Sequence, residues 1–348
     1  MPIFFADQLR EFSAATLHAA GAIANEAQTV ADALVEANLE GHDSHGVVRV
    51  AEYVGWMEEG KIRHGAQMEI ERETEAYALI NGNWGWGQVI GKQAMEVGIQ
   101  KASRVGVAVV SLHNCNHLGR AGDYPAMAAK RGMAAVLFVN THGGGKLVAP
   151  WGGRERRLSA NPIAAAIPRS TGEPFVLDIS TCAIAGGKLH IMRNAGKPIP
   201  PNCIIDAQGR PTTNAADYFG PPEGALLPMA GHKGFGLALM CDMLAGALSG
   251  AGCSRPTTTR VGNAFFGVVI NIPMFRSREA FDTDVNQLVD YMKSCPLAPG
   301  FQEILIPGEP ERRTRRQREA EGIPLDDGTW TEVLVPARKY GVRIPTPR

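Results

Sequence analysis

AYALINGNWGWGQVIGKQAMEVGIQKASRVGVAVVSLH, residues 76–113, is the stretch whose reading decides the fold class. Its first five residues form a short β-rich apolar run. A Gly/Asn/Trp turn follows, then a helical pattern over about 88–103, then a second β-rich run at 105–112. Strand, glycine turn, helix and strand in that order invite comparison with the phosphate-binding fingerprint of a Rossmann unit. The spacing refuses it. Gly85, Gly87 and Gly91 give G-x-G-x-x-x-G in place of G-x-G-x-x-G. The second run closes in Ser111-Leu112-His113, with no acidic residue to read a ribose. The segment predicts an α/β unit that is not a Rossmann unit.

Working outward, residues 133–139, 163–167, 175–178 and 265–272 are further β-rich apolar runs. Helical patterns at about 120–131 and 233–249 lie among them. Such mixed order predicts an α/β or α+β domain with a mixed sheet. Residues 193–230 are rich in Pro, Gly and Asn and predict a long loop. Beyond about 284 the pattern gives a helix, a Pro-rich turn, a charged helix and a last helix near 330–340. On the N-terminal side, residues 6–40 read as helices. Asn25 and Gln28 have the spacing of a capping box, and Val30, Ala33, Leu34 and Ala37 share one face. After Gly41 a second helical pattern runs from about Ser44 to Glu59, with Gly60 as its stop.

Composition limits the partners. The 348 residues are 45% hydrophobic and 20% charged, enough to build a sizeable core. Lys plus Arg and Asp plus Glu are 35 each, which argues against a nucleic-acid binder. The six cysteines, at 115, 182, 203, 241, 253 and 295, form no C-x-x-C pair and fit reduced thiols in a cytoplasmic setting. Residues 1–12 carry no signal-peptide pattern. The most apolar stretch, 234–252, contains Asp242 and several glycines and suits a buried helix better than a membrane span.

Four motifs could carry chemistry. In His42-Asp43-Ser44-His45-Gly46, a helix capped by Ser44 would put His45, Arg49 and Tyr53 four residues apart on one face. A guanidinium grips a carboxylate at two points, and an imidazole one turn away can exchange a proton with the neighbouring oxygen. Against this stands a polar helix start with a solvated arginine. His113-Asn114-Cys115-Asn116-His117-Leu118-Gly119-Arg120 follows a strand and opens a helix, a placement that suits a site as well as a simple capped turn. Gly231-His232-Lys233-Gly234 opens the apolar helix, and free N–H groups beside a lysine suit an anion. Residues 143–146 and 186–188 lack the P-loop spacing. Arg312, Arg313, Arg315, Arg316 and Arg318 are interleaved with glutamates and predict a solvated, salt-bridged helix.

Taken together, 41–53 (GHDSHGVVRVAEY), 113–124 (HNCNHLGRAGDY), 161–168 (NPIAAAIP), 177–188 (LDISTCAIAGGK), 231–250 and 306–325 resemble the type-2 malate/L-lactate dehydrogenase family, in the family's order and over nearly the whole chain. Residues 200–214 and 312–330 are most similar to its hydroxycarboxylate dehydrogenase branch. The resemblance implies a non-Rossmann mixed-sheet NAD(P)-binding domain, residues 76–284, joined to a helical domain built from 1–75 and 285–348. It implies a homodimer that moves a hydride between a nicotinamide and a small 2-hydroxy or 2-oxo acid, with NAD or NADP as cofactor and NAD favoured. His45 and His117 match the family's acid/base histidines, and either could be the donor. Ser44, Arg49, Tyr53 and Thr141 match substrate-pocket positions. Asn161, Asp178, Ser180, Thr181, Lys188, His232, Lys233, Gly234, Pro307, Gly308 and Glu309 match cofactor positions, and no metal is implied. Cys182 stands where a serine is usual, Asn263 where some members have His or Gln, and residues 140–145 form a wall that varies with activity. Two other readings remain: a cyclic-imine or diketo sugar acid reductase of the same family, and a zinc hydrolase using His42, His45 and His117.

Overall fold

The N-terminal helices are amphipathic in the sense their sequence predicts, but they start elsewhere. In the computed structural model, which describes residues 1–194, 196–258 and 260–348, the chain begins with β1 (Ile3–Phe4), α1 (Ala6–Ala19) and α2 (Ala24–Leu39). The capping box at Asn25 and Gln28 does not form. α2 starts after Ile23 with no side-chain cap, and Gln28 donates to Asp32 instead. Nor does Ser44 cap a helix. Residues Asp43–His45 make a 3₁₀ turn, and α3 spans Arg49–Glu58. The cause is Asn38, buried at the end of α2. Its Nδ2 donates to Asp43 Oδ1 at 2.7 Å and its Oδ1 accepts from Val47 N at 2.8 Å. Gly46 lies so close that any Cβ there would overlap the Asn38 carboxamide. Gly60, with φ of +68°, follows Glu59, the C-cap of α3, as its stop position predicts.

The chain continues through β2 (Glu69–Glu73), β3 (Tyr77–Asn81), α4 (Gly87–Val105), β4 (Val107–Cys115), α5 (Asp123–Ala129), β5 (Met133–Asn140), β6 (Ile163–Ile167) and β7 (Phe175–Ile179). Next come α6 (Gly186–Asn194), β8 (Ile204–Ile205), β9 (Pro211–Thr212), α7 (Ala215–Phe219), β10 (Ala225–Leu226), α8 (His232–Cys241) and β11 (Asn263–Asn271). α9 (Arg278–Lys293), α10 (Glu309–Glu321), β12 (Ile323–Pro324) and α11 (Asp327–Lys339) complete it.

Seven strands form one mixed sheet in the order β2-β3-β4-β11-β5-β6-β7. β3 and β4 pair in parallel, joined by α4, which lays Ile90, Ala94, Met95, Ile99 and Ala102 on the sheet at helical spacing. The other neighbouring strands pair antiparallel. These directions bring the C-terminal ends of β3, β4, β5 and β7 to one edge, together with the first residues of β6 and β11. That edge carries the segments singled out for chemistry.

Residues 193–230 are more ordered than their composition predicts. They hold α7 and a small sheet, β10-β8-β9, over an apolar cluster that includes Leu189, Ile199, Ile204, Tyr218 and Leu226. Two-residue strands are too short to show a period. A separate core joins α1, α2 and α3 to the end of the chain, packing Leu9, Leu34, Val50 and Tyr53 with Ile323, Val333 and Ala337. The apolar helix after Gly231 widens into a π turn at Asp242–Ala247, around a buried Asp242. On α10 the arginines find partners outside their own helix. Arg315 bonds Glu36 and Glu40 of α2 at 2.6 and 2.7 Å, and Arg318 bonds Asp43 at 2.6 Å. α10 buries none of its residues and is salt-bridged, as its sequence predicts, and these bonds also tie it to α2. Among the described residues no helix is long and apolar enough to cross a membrane.

Candidate active site

The glycine cluster at 82–87 forms the seat of the loop after β4. Gly82 N donates to His113 O at 2.8 Å, Trp84 N to Asn114 O at 2.7 Å, and Asn116 N to Gly85 O at 3.2 Å. Asn116 returns its carboxamide to Trp84 O at 2.6 Å and Gly85 O at 3.0 Å. At Gly87 the fit is tightest: a Cβ would lie 2.6 Å from Asn116 O and closer still to His117 O. On the other side, Asn263 at the start of β11 accepts from Leu118 N at 2.8 Å and donates to Asn140 O at 3.0 Å. His117 is thus fixed from both flanks.

The rings of His117 and His45 stack, with centroids 5.5 Å apart and planes 17° from parallel. Tyr53 Oη lies 2.7 Å from His117 Nδ1, and Gln88 Nε2 donates to the same Oη at 2.8 Å. Ser44 Oγ is 3.1 Å from His45 Nδ1. Arg49 is oriented by Ser44 O, which accepts from its Nε at 2.7 Å, and by Glu52, which takes Nη1 at 2.5 Å. Two imidazoles, a phenol and a guanidinium therefore form one group, although His45 stands on the 3₁₀ turn and not on α3. Gly187, at the start of α6, completes the enclosure. A Cβ there would sit 2.6 Å from Ser44 Cβ.

Burial sets the protonation of this group. It lowers the His45 pKa to about 3, with the positive charge of Arg49 adding to the effect. Burial, then Arg49 and His45, hold His117 well below the usual histidine range. Burial likewise pushes the Tyr53 phenol up. Both histidines are neutral at pH 7, beside a fixed cation.

Of the segments expected to hold a cofactor, Asp178–Thr181 lies at the same edge of the sheet, whereas 307–309 lies by the other end of β7. Asp178, at the end of β7, accepts from Gly122 N at 2.7 Å and stands 3.8 Å from the buried Arg120. Arg120 also pairs with Asp123, at 2.9 Å, and with Glu40. Pro307 and Gly308 lie along the start of β7, where Val176 N donates to Pro307 O at 3.4 Å. Glu309 is taken up by Lys293 and by Ile306 N. Past Asp178 and the partly exposed Ser180, Thr181 O accepts from Met229 N at 2.9 Å, so this loop runs beside the entry to α8. There Gly231 has φ of +63°, no side chain caps the helix, His232 and Lys233 are exposed, and Gly234 packs against Met229. Lys188 is exposed on α6. Two further expected residues have hydrogen-bond partners within the fold. Thr141 gives its hydroxyl to Gly144 O at 2.6 Å, and Asn161 is buried, donating to Ala238 O at 3.0 Å. His42 pairs with Glu311 at 3.6 Å. Among the described residues no three His, Cys, Asp or Glu side chains are placed to hold a metal, so the zinc-hydrolase reading has no ligand set there.

The family model described as malate/L-lactate dehydrogenase matches residues 4–334. The chain belongs to the malate/L-lactate dehydrogenase family. This dehydrogenase is 38% identical over 344 residues to hydroxycarboxylate dehydrogenase B of Escherichia coli O157:H7, with 97% of this chain and 94% of the relative covered. Among solved structures, an E. coli protein described as a malate/lactate dehydrogenase superposes with a TM-score of 0.93 at 37% identity, covering 98% of this chain and 96% of that one. Sulfolactate dehydrogenase from Methanocaldococcus jannaschii gives a TM-score of 0.87 at 35% identity, with 98% of both chains covered. Membership makes the protein an oxidoreductase of the dehydrogenase type.

Sequence reasoning missed Gln88, Asn263 and Gly187 as parts of this dehydrogenase's site. Gln88 lies in the glycine cluster weighed as a phosphate loop, and its i,i+1 neighbourhood gives no sign of a partner on α3. Asn263 was marked only as a departure from other members.

Proposed function

We propose that this dehydrogenase is an NAD(P)-dependent 2-hydroxy acid dehydrogenase and 2-oxo acid reductase. The observation that carries the reading is the stacked His45–His117 pair with Arg49 and Tyr53 set around it. Arg49 binds the substrate carboxylate through Nη2, since Nε and Nη1 are already committed. This orients the hydroxyl or carbonyl oxygen toward the histidines. The pair takes up the hydroxyl proton during oxidation and returns it during reduction. Gly187 and the loop around His117 close the site on two sides, so fixed dipoles replace water around the reacting oxygen.

A nicotinamide cofactor fits the residues on the sheet edge. The uncapped start of α8, with His232 and Lys233 exposed, suits a pyrophosphate. Asp178, Ser180, Thr181, Lys188, Gly234, Pro307, Gly308 and Glu309 line the approach on this reading, with Asn161 and Thr141 supporting the walls. When bound, the nicotinamide supplies or accepts the hydride at the carbon bearing the oxygen. The single parallel pair in the sheet supports a non-Rossmann cofactor domain, 76–284, set against a helical domain of 1–75 and 285–348. β2 crosses from the first range into the sheet. The exposed Met240, Met243 and Leu248 on and after α8 support a homodimer.

The test is a panel of 2-oxo acids, including oxaloacetate-like and pyruvate-like members, with NADH and NADPH in turn. Turnover of at least one acid is expected, lost about 10²-fold or more in His117→Ala and His45→Ala. No oxidation of either cofactor by any acid, or full rates in both histidine variants, would end this reading.

A further inference from the structure

Gln88 is the one polar side chain of the site whose purpose the binding of acid and cofactor leaves unexplained. It stands in the first turn of α4, outside α3 and outside the His117 loop, and is 1% exposed. Among the described residues its side chain makes one hydrogen bond, from Nε2 to Tyr53 Oη. Its Oε1 is buried without a partner, so nothing else in the fold is held by this carboxamide. Its freedom is small. Gly119, at φ of +74°, approaches so closely that a Cβ there would be 3.2 Å from Gln88 Nε2.

We propose that Gln88 is a positioning residue that acts through Tyr53 to fix which nitrogen of His117 carries the proton. The argument is a count of hydrogens. Tyr53 is 1% exposed and has one hydroxyl proton. Its oxygen already accepts from Gln88 Nε2, so its own O–H must find an acceptor elsewhere, because a buried unpaired donor is costly. The partner in reach is His117 Nδ1, 2.7 Å away. Nδ1 is therefore the acceptor, and the ring proton resides on Nε2. A third group orients the base from behind, as in other sites where a buried partner selects an imidazole tautomer. With the proton on Nε2, neutral His117 hydrogen-bonds the oxygen that gains negative charge as a carbonyl is reduced, while the proton exchanged with that oxygen passes through His45, the other member of the pair. Were the carboxamide to present Oε1 to Tyr53, the hydroxyl would turn to Gln88, and His117 would have to donate from Nδ1 and leave Nε2 bare.

This inference rests on the reading of His117 as part of the acid/base pair, and its test separates the two. Long-range ¹H–¹⁵N spectra of the cofactor-free protein distinguish the Nε2–H and Nδ1–H tautomers of His117 directly. Wild type should show the Nε2–H form, and Gln88→Met, which keeps the volume and removes the donor, should show a mixture. Reduction of the best acid from the panel should lose roughly tenfold in kcat, with KM changed less than about twofold, because Arg49 is untouched. In a Tyr53→Phe background the same Gln88→Met change should cost less than about twofold, since the path to His117 is already cut. An unchanged His117 spectrum in Gln88→Met, or an equal loss of kcat in both backgrounds, overturns the proposal. If Gln88→Met does not fold, Gln88→Leu is read by the same spectra. If wild type reduces no 2-oxo acid, the functional reading fails, and the tautomer spectra still decide the role of Gln88.

Discussion

Gly87→Ala tests whether the glycine cluster exists to seat the His117 loop. The added methyl would lie 2.6 Å from Asn116 O and nearer still to His117 O, where real Cβ atoms come no closer than 3.0 Å. Relieving both contacts takes a displacement of about 1 Å, and a misplacement of that size can cost 10²-fold in rate. The backbone of His117 has little room to yield, because Leu118 N is tied to Asn263 on the other side. The ring would therefore leave its 2.7 Å contact with Tyr53. Overpacking of this kind typically destabilises by about 1–3 kcal/mol. The assay is the initial rate of cofactor oxidation with the preferred acid, beside a denaturation midpoint. The expected result is about a 10²-fold fall in kcat with the fold retained. Gly55→Ala is the control: it sits inside α3 with nothing within 4 Å of the added methyl. It should keep full activity and gain roughly 0.5–1 kcal/mol of stability. A Gly87→Ala enzyme within about twofold of wild type would refute the seating role.

Three further outcomes follow from the site. Arg49→Ala should raise KM for the acid by about 10- to 100-fold, the worth of a charge-assisted contact of about 1.5–3 kcal/mol, and an unchanged KM in steady-state kinetics would remove Arg49 from the carboxylate site. Because burial holds His45 near pKa 3 and His117 also low, both are unprotonated in the free enzyme at neutral pH; kcat/KM for hydroxy acid oxidation should stay flat from pH 8 to pH 5, without the break near 6.5 that an ordinary histidine gives. The reverse reduction consumes a proton and should rise about tenfold for each unit that the pH falls from 8 to 5, so parallel profiles for the two directions would contradict the assignment. Arg120→Met removes the buried cation shared by the partly buried Asp123 and Asp178 and by Glu40, which keeps Arg315, and should destabilise by about 1–3 kcal/mol in urea unfolding.

Much of this architecture was legible because long elements repeat their pattern. α4 shows five core residues at helical spacing, and β4 and β11 are nine-residue strands rich in apolar residues. The triad His45, Arg49 and Tyr53 was found for partly the wrong reason. The residues do converge, yet through a 3₁₀ turn held by Asn38, a contact between positions no local window compares. The small sheet β10-β8-β9 was invisible because its strands are two residues long and its stability comes from packing on α7. The arginines of α10 read from sequence against the glutamates beside them, whereas most of the carboxylates they bind, among them Glu36, Glu40, Asp43 and Glu303, stand outside the helix. Gln88 escaped notice for a related reason: its partner stands on α3, far away in the chain.

The core beneath α2 and α3 is stitched shut by Ile323, Val333, Leu334 and Ala337, and β1 pairs with β12. During synthesis the apolar undersides of these helices must therefore wait, uncovered, until ribosomes have delivered the far end of the polypeptide. A nascent chain arrested before residue 323 would hold every histidine of the site and still be a client for chaperones rather than an enzyme.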